Sequence, residues 1–215
     1  MKIKPFFFCC ILTGLTACHQ NPSAGSKEGV IVQDRHWTES DRKMLVSELE
    51  RTKAEMIAAV ENLSDAQWQF KPSENAWNIA EVFEHIGLYE RIVLQEAWLA
   101  CELPPQPEFD VPSMKDSVYL SWMADPGAHS APENAIPLGL MSGRDNLTFF
   151  VFGRDQILQY VANTTQDFKV HFTPRAGEPN NRRSVHGLMV VHFAHTDRHL
   201  RQIARIKAHE DFPKS

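Results

Sequence analysis

Cysteine is nearly missing from the body of this chain. Of four in total, Cys9, Cys10 and Cys18 fall at the N-terminal end and Cys101 stands alone thereafter. A single remaining thiol excludes an intrachain disulfide framework and a cysteine-rich zinc module. Near a helix end it reads as a small apolar filler rather than a nucleophile. A basic excess is lacking as well: 22 Lys and Arg face 27 Asp and Glu, a formal charge of -5. With no basic stripe interleaved with aromatics and no finger spacing, nucleic acid is not an expected partner. There is no internal repeat and no alternation of strands with helices, which argues against solenoids and parallel-sheet folds.

What is present begins with an export pattern. Lys2 and Lys4 precede an apolar stretch from Phe6 to Leu15, too short for a settled membrane span and shaped like a secretory signal. It ends in Leu15-Thr16-Ala17-Cys18, which resembles the lipobox of bacterial lipoprotein precursors. The resemblance implies cleavage before Cys18 and acylation of that residue. Several acyl chains would hold a soluble domain on a bilayer where one would not. The alternative is an ordinary signal peptide with a cysteine near its cleavage point. His19 follows the cysteine where inner-membrane retention would call for Asp, so an exported envelope protein is expected, outer-membrane or periplasm-facing if the host is Gram-negative. Residues 1–17 then form the signal and 18–37 a lipidated tether and lead-in, polar and rich in small residues. After the polar tract that ends at about Glu28, about 185 residues remain for one domain with a sizeable core.

The expected fold class is all-α, a four-helix bundle. Leu45, Leu49, Thr52, Met56, Ala59 and Leu63 recur at helical spacing over 40–63, with Thr38 or Ser40 as cap. Ser64 and Asp65 suggest a short turn of helix toward Trp68. A second helix is expected from Asn78 to Leu99 or Cys101, capped by Asn78 with Glu81 as the acidic partner of a capping box and stopped by Pro104, Pro105 and Pro107. From Glu108 to Arg144 the pattern fails, so 104–150 reads as a long loop between helices two and three that covers a site or moves. Leu147, Phe149, Phe150 and Phe152 would seat it on the bundle or form a short strand. The third helix is expected to be short, Asp155 to Asn163. Phe168, Val170 and Phe172 suggest a brief extended segment, 175–183 a loop, and Ser184 to Ala208 the fourth helix.

The chemistry lies in Val191-His192-Phe193-Ala194-His195-Thr196-Asp197-Arg198-His199. His195 and His199 are one helical turn apart and project from one face. That face, continued by Leu188 and Ile206, ought to be buried, and unpartnered imidazoles there would cost several kcal/mol. His85 poses the same puzzle on helix two. One divalent cation shared by His85, His195 and His199 answers both: three imidazoles with an open position are a catalytic zinc arrangement, and nickel, iron and manganese accept the same donors. The competing reading is that these histidines bond to Tyr89, Gln202 or backbone carbonyls. His192 reads as a rim residue or a further ligand, and His36, His129, His171, His186 and His209 as solvated.

Two stretches carry a family resemblance. Trp68 to Ile86, WQFKPSENAWNIAEVFEHI, and His195 to Pro213, HTDRHLRQIARIKAHEDFP, resemble the opening and closing signatures of the DinB-like superfamily. The resemblance spans most of 40–213 and is weak through 104–150. It implies an up-down-down-up bundle with a three-histidine site near one end, the ligand positions falling on His85, His195 and His199. Relatives include bacillithiol and mycothiol transferases and suspected hydrolases, and some are homodimers. The lipoprotein leader departs from the cytoplasmic members and argues against a cytosolic thiol cofactor.

Two functions remain open from sequence. One is a metal-dependent transferase or hydrolase acting on a small molecule, with Glu81 orienting His85 or accepting a proton, His192 nearby, and Arg198 recognising an acidic substrate at the mouth or forming a peripheral salt bridge. The other is a non-catalytic envelope protein that binds metal or a small ligand. In either, Asp197 reads as a solvent-side helix charge.

Overall fold

The computed structural model describes residues 36–107, 115–127, 130–173 and 183–214. The expected signal, Cys18 and most of the tether lie outside them, as do His129 and most of the 175–183 loop.

Four long helices build the domain: α1 (Glu39–Val60), α3 (Ile79–Glu102), α5 (Gly143–Asn163) and α6 (Val185–Lys207). Two short ones, α2 (Asp65–Gln69) and α4 (Asp116–Ala124), and a 3-10 turn at Glu133–Ala135 are added to them among the described residues. Each start follows from local chemistry. Thr38 caps α1 and Asn78 caps α3, and in both the acid three residues on returns the bond, Asp41 to Thr38 N and Glu81 to Asn78 N, each at 2.8 Å. Asn62, at φ 63°, ends the run after α1 in the left-handed region that Asn tolerates. Around the core α1 packs on α5 and α6, and α3 packs on the same two, so α1 lies diagonally across from α3. The result is an all-α domain packed as a bundle with extra short helices.

Two apolar clusters fill the interior. One gathers Leu45, Leu49, Val93, Ala97, Ile157 and Met189; the other gathers Met56, Val82, Phe83, Ile86, Phe150 and Ile203. On α1, α3 and α5 the residues between them are polar: Thr52, Glu90 and Arg154, with Thr196 and His192 supplied by α6. Arg154 is fully buried and spends its donors on Glu90, Leu49 O, Thr52 Oγ1 and Thr196 Oγ1. One guanidinium thereby ties all four long helices together. Burying it costs desolvation, which the bidentate carboxylate and three further acceptors offset.

The structure corrects the expected third helix. α5 starts at Gly143, twelve residues before Asp155, and takes in Leu147, Phe149, Phe150 and Phe152 as helix rather than strand. Gly143, Asn146 and Gly153 had hidden it, since all three are poor helix formers. They are kept by contact. A Cβ on Gly143 would meet the Trp68 ring at 2.2 Å, and one on Gly153 would meet Glu90 Cβ at 2.6 Å. Asn146 Nδ2 donates to Ala80 O of α3 at 3.1 Å.

The 104–150 segment is likewise not one long loop, because α4 packs against α6 within it. The extended segment is a two-residue strand, β1 (Phe172–Thr173), paired antiparallel with β2 (Arg183–Ser184). Two histidines expected in solvent are buried. His171 lies against Ala100 O, and His186, in the first turn of α6, reaches the Asp116 carboxylate of α4 at 3.2 Å. His36 is exposed as expected and His209 is half-buried.

Candidate metal centre

α3 and α6 bring three imidazoles from distant points of the chain to one place. His85 Nε2 lies 3.4 Å from His195 Nε2, which lies 3.0 Å from His199 Nε2. One nitrogen from each ring falls within 4.8 Å of the other two. A tetrahedral cation with nitrogen–metal bonds of 2.0–2.1 Å spaces its ligand atoms about 3.3–3.4 Å apart, so the observed separations fit a small divalent ion.

The far sides of the rings fix the tautomers of two of them. His85 Nδ1 donates to the carbonyl of Ala135 at 2.6 Å, and His199 Nδ1 donates to Gln202 Oε1 at 2.8 Å. Both acceptors are oxygens without a proton, so His85 and His199 each present a lone pair on Nε2. His195 stands between them, and its Nδ1 is buried without a hydrogen-bond partner among the described residues. A proton on His195 Nε2 satisfies one neighbour at a time, whereas a divalent cation satisfies three lone pairs together. A partner behind a ligating histidine is the usual device for orienting the ring.

The surroundings keep the rings neutral. Burial pushes the His195 imidazole well below its ordinary range, with its histidine neighbours adding to the effect. Burial first, and then His85, hold His199 down at about 3; His85 is lowered by burial too, against the opposing bond to Ala135. Neutral imidazole is the form that binds a metal. Tyr89 packs on His195 with ring centroids 4.4 Å apart, and Trp77 packs on His85 at 4.8 Å.

The other expected site residues are placed differently. Glu81 does not reach His85, because its carboxylate caps Asn78 and pairs with Lys71 at 2.7 Å. The orienting partner is the backbone of Ala135, a long-range contact without a sequence motif. The neighbour of His85, Glu84, accepts from Leu138 N and Gly139 N, both at 2.9 Å, so consecutive residues of α3 anchor the 135–139 segment beside the site. His192 is buried, its Nε2 donating to Glu90 at 2.9 Å and its Nδ1 unpartnered among the described residues. Arg198 donates to the carbonyls of Asp125 and Gly127 and pins the turn after α4. Asp197 is no free solvent charge, since Arg51 of α1 clasps it through both carboxylate oxygens. Cys101 is buried, as a filler would be.

A cleft of about 1520 Å³ opens onto the three histidines, bordered by α3, α6, the end of α4 and the 130–134 segment. It is large enough for a drug-sized molecule.

Residues 48–203 match the model of the DinB superfamily. No curated protein matches the sequence significantly. Among solved structures the chain is similar to YfiT from Bacillus subtilis, described as a probable metal-dependent hydrolase with an unusual four-helix bundle topology. The identity is 12%, the match covers 82% of this chain and 91% of that one, and the TM-score is 0.55.

Proposed function

The chain belongs to the DinB superfamily, and from that premise we propose that it is a divalent-metal-dependent enzyme of the hydrolase or thiol-transferase kind. His85, His195 and His199 would hold the ion, with zinc or nickel the first to seek and iron or manganese next. The same premise carries the up-down-down-up order of the long helices. The observation that bears most weight is the convergence of Nε2 atoms from two helices, with two of the three rings already locked from behind by Ala135 O and Gln202. The likeness to a protein described as a probable metal-dependent hydrolase points the same way.

A cation at this position supplies Lewis-acid chemistry to a small molecule in the cleft. The chain's own residues supply placement. Trp77 and Tyr89 wall the ligand rings and limit water. His192, held by Glu90 with its Nδ1 unpartnered among the described residues, borders the same cleft and is a candidate proton acceptor that is not itself a proposed ligand. Glu84 and Glu90 are committed elsewhere, the first to backbone N–H groups and the second to Arg154 and His192.

Turnover of ester, amide and thiol-transfer substrates, measured with and without added metal, tests the reading. Metal-dependent turnover that disappears in a folded His195→Ala chain supports it. No turnover by a metal-loaded chain would favour the non-catalytic metal- or ligand-binding protein. We also propose envelope anchoring through acylated Cys18, carried by the lipobox resemblance. Mass spectrometry of the membrane fraction decides it: a diacylglycerol-modified Cys18 is expected, and an unmodified N-terminus would overturn it.

A further inference from the structure

The chain as a whole is acidic, yet the cleft over the histidines is not. Among the described residues its border carries three guanidinium groups, Arg183, Arg198 and Arg205, against one carboxylate, Glu96. Arg198 and Arg205 are seven residues apart on α6, so they share the face that presents His195, His199 and Gln202. Both border the cleft onto which the histidines open.

Among the described residues, neither the Arg198 nor the Arg205 charge is paired with a carboxylate. Within that same set Arg198 donates to two neutral backbone carbonyls, which leave its full charge and three of its five N–H groups. Arg205 is exposed in the last turn of α6, and no ion pair joins it to a carboxylate among the described residues. Arg183 lies across the cleft, with its guanidinium carbon 5.6 Å from the ring centroid of Trp122. Trp77 and Trp122 give the same cleft flat apolar walls. Guanidiniums without a carboxylate partner, such as those of Arg198 and Arg205, attract and orient carboxylate and phosphate groups where they border a concave surface.

We infer that the cleft binds a small molecule with an anionic head, a carboxylate or phosphate held by Arg198 and Arg205, on an apolar body that lies along Trp77 and Trp122. This rests on the proposed function for its reacting end and adds the class of substrate. The arginines act beside the histidines, so they select the anion even when no metal is bound.

Calorimetric titration of the full chain, metal-stripped and zinc-loaded, with phenylphosphonate and with neutral benzyl alcohol tests it. The metal-stripped chain is expected to bind the anion about tenfold tighter than the alcohol, and added salt is expected to narrow the gap. Arg205→Gln, at an exposed position where folding is not at stake, is expected to weaken phenylphosphonate severalfold and leave benzyl alcohol unchanged. Arg198→Gln adds to that loss. Equal affinity for the two probes, no binding of either at millimolar concentration, or an unchanged preference in Arg205→Gln/Arg198→Gln would overturn the inference. Elemental analysis of the same samples separates the two readings. Anion selection in a chain that takes up no metal would sink the metal centre alone, and metal uptake without anion selection would sink this inference alone.

Discussion

Arg154 and Glu90 meet at the centre of the bundle with both side chains fully buried, Nη2 2.7 Å from Oε1 and Nε 3.0 Å from Oε2. Removing one partner strands the other's charge in a dry interior. Arg154→Met is therefore expected to cost about 3–5 kcal/mol, read by urea unfolding. Replacing Glu90 by Leu in the same chain is expected to recover part of that loss, because no charge is then left behind. A single variant as stable as wild type would show that the pair contributes nothing.

The same carboxylate gives a pH dependence. Arg154 and then His192 overcome the effect of burial and hold Glu90 at about 2, against an ordinary value of 4.5. The folded state thus refuses a proton that the unfolded state accepts between these values. Its contribution is complete above pH 4.5 and is lost as the pH falls toward 2, about 3 kcal/mol in all. In Glu90→Gln the stability curve should start lower at neutral pH and fall less steeply over that window. Parallel curves for the two proteins would contradict the assignment.

Close approach of α5 to its neighbours predicts the cost of single methyl groups. Gly153→Ala places a carbon 2.6 Å from Glu90 Cβ, and Gly143→Ala places one 2.2 Å from the Trp68 ring. Each is expected to destabilise by about 1–3 kcal/mol despite the better helix propensity of Ala. Gly139→Ala has open space around it but a φ of +68°, and should cost about 1 kcal/mol through the backbone alone. Thermal unfolding of the three variants checks the order.

These contacts also explain what could be read in the sequence. The caps at Thr38 and Asn78, the apolar stripes of α1, α3 and α6 and the inward placement of His85, His195 and His199 are local signals, each carried within a few residues. α5 was half hidden because Gly143, Asn146 and Gly153 answer to Trp68, Ala80 and Glu90, all on other segments. The partner of His85 was invisible for the same reason: it is a backbone oxygen fifty residues away. Glu81 looked like an orienting acid from its spacing, yet the capping box it forms with Asn78 consumes it. His171 and His186 looked solvated because they sit near element ends, where packing by α4 and the end of α3 decides burial.

Gln202 should tune the site without building it. Its side-chain oxygen accepts from His199 Nδ1 and fixes that ring's orientation. Gln202→Ala is expected to lower metal affinity about 10- to 100-fold while the fold is kept. Competition with a chromophoric chelator gives the affinity and circular dichroism the fold; unchanged affinity would remove Gln202 from the site's support.

The central claim is that imidazoles of α3 and α6 share one ion. Elemental analysis of the full chain, purified after growth with zinc and nickel, tests it most directly beside His85→Ala, His195→Ala and His199→Ala. About one equivalent of divalent metal in the wild type, and much less in every folded variant, is predicted. Equal metal in all four proteins, or none in any, would contradict it.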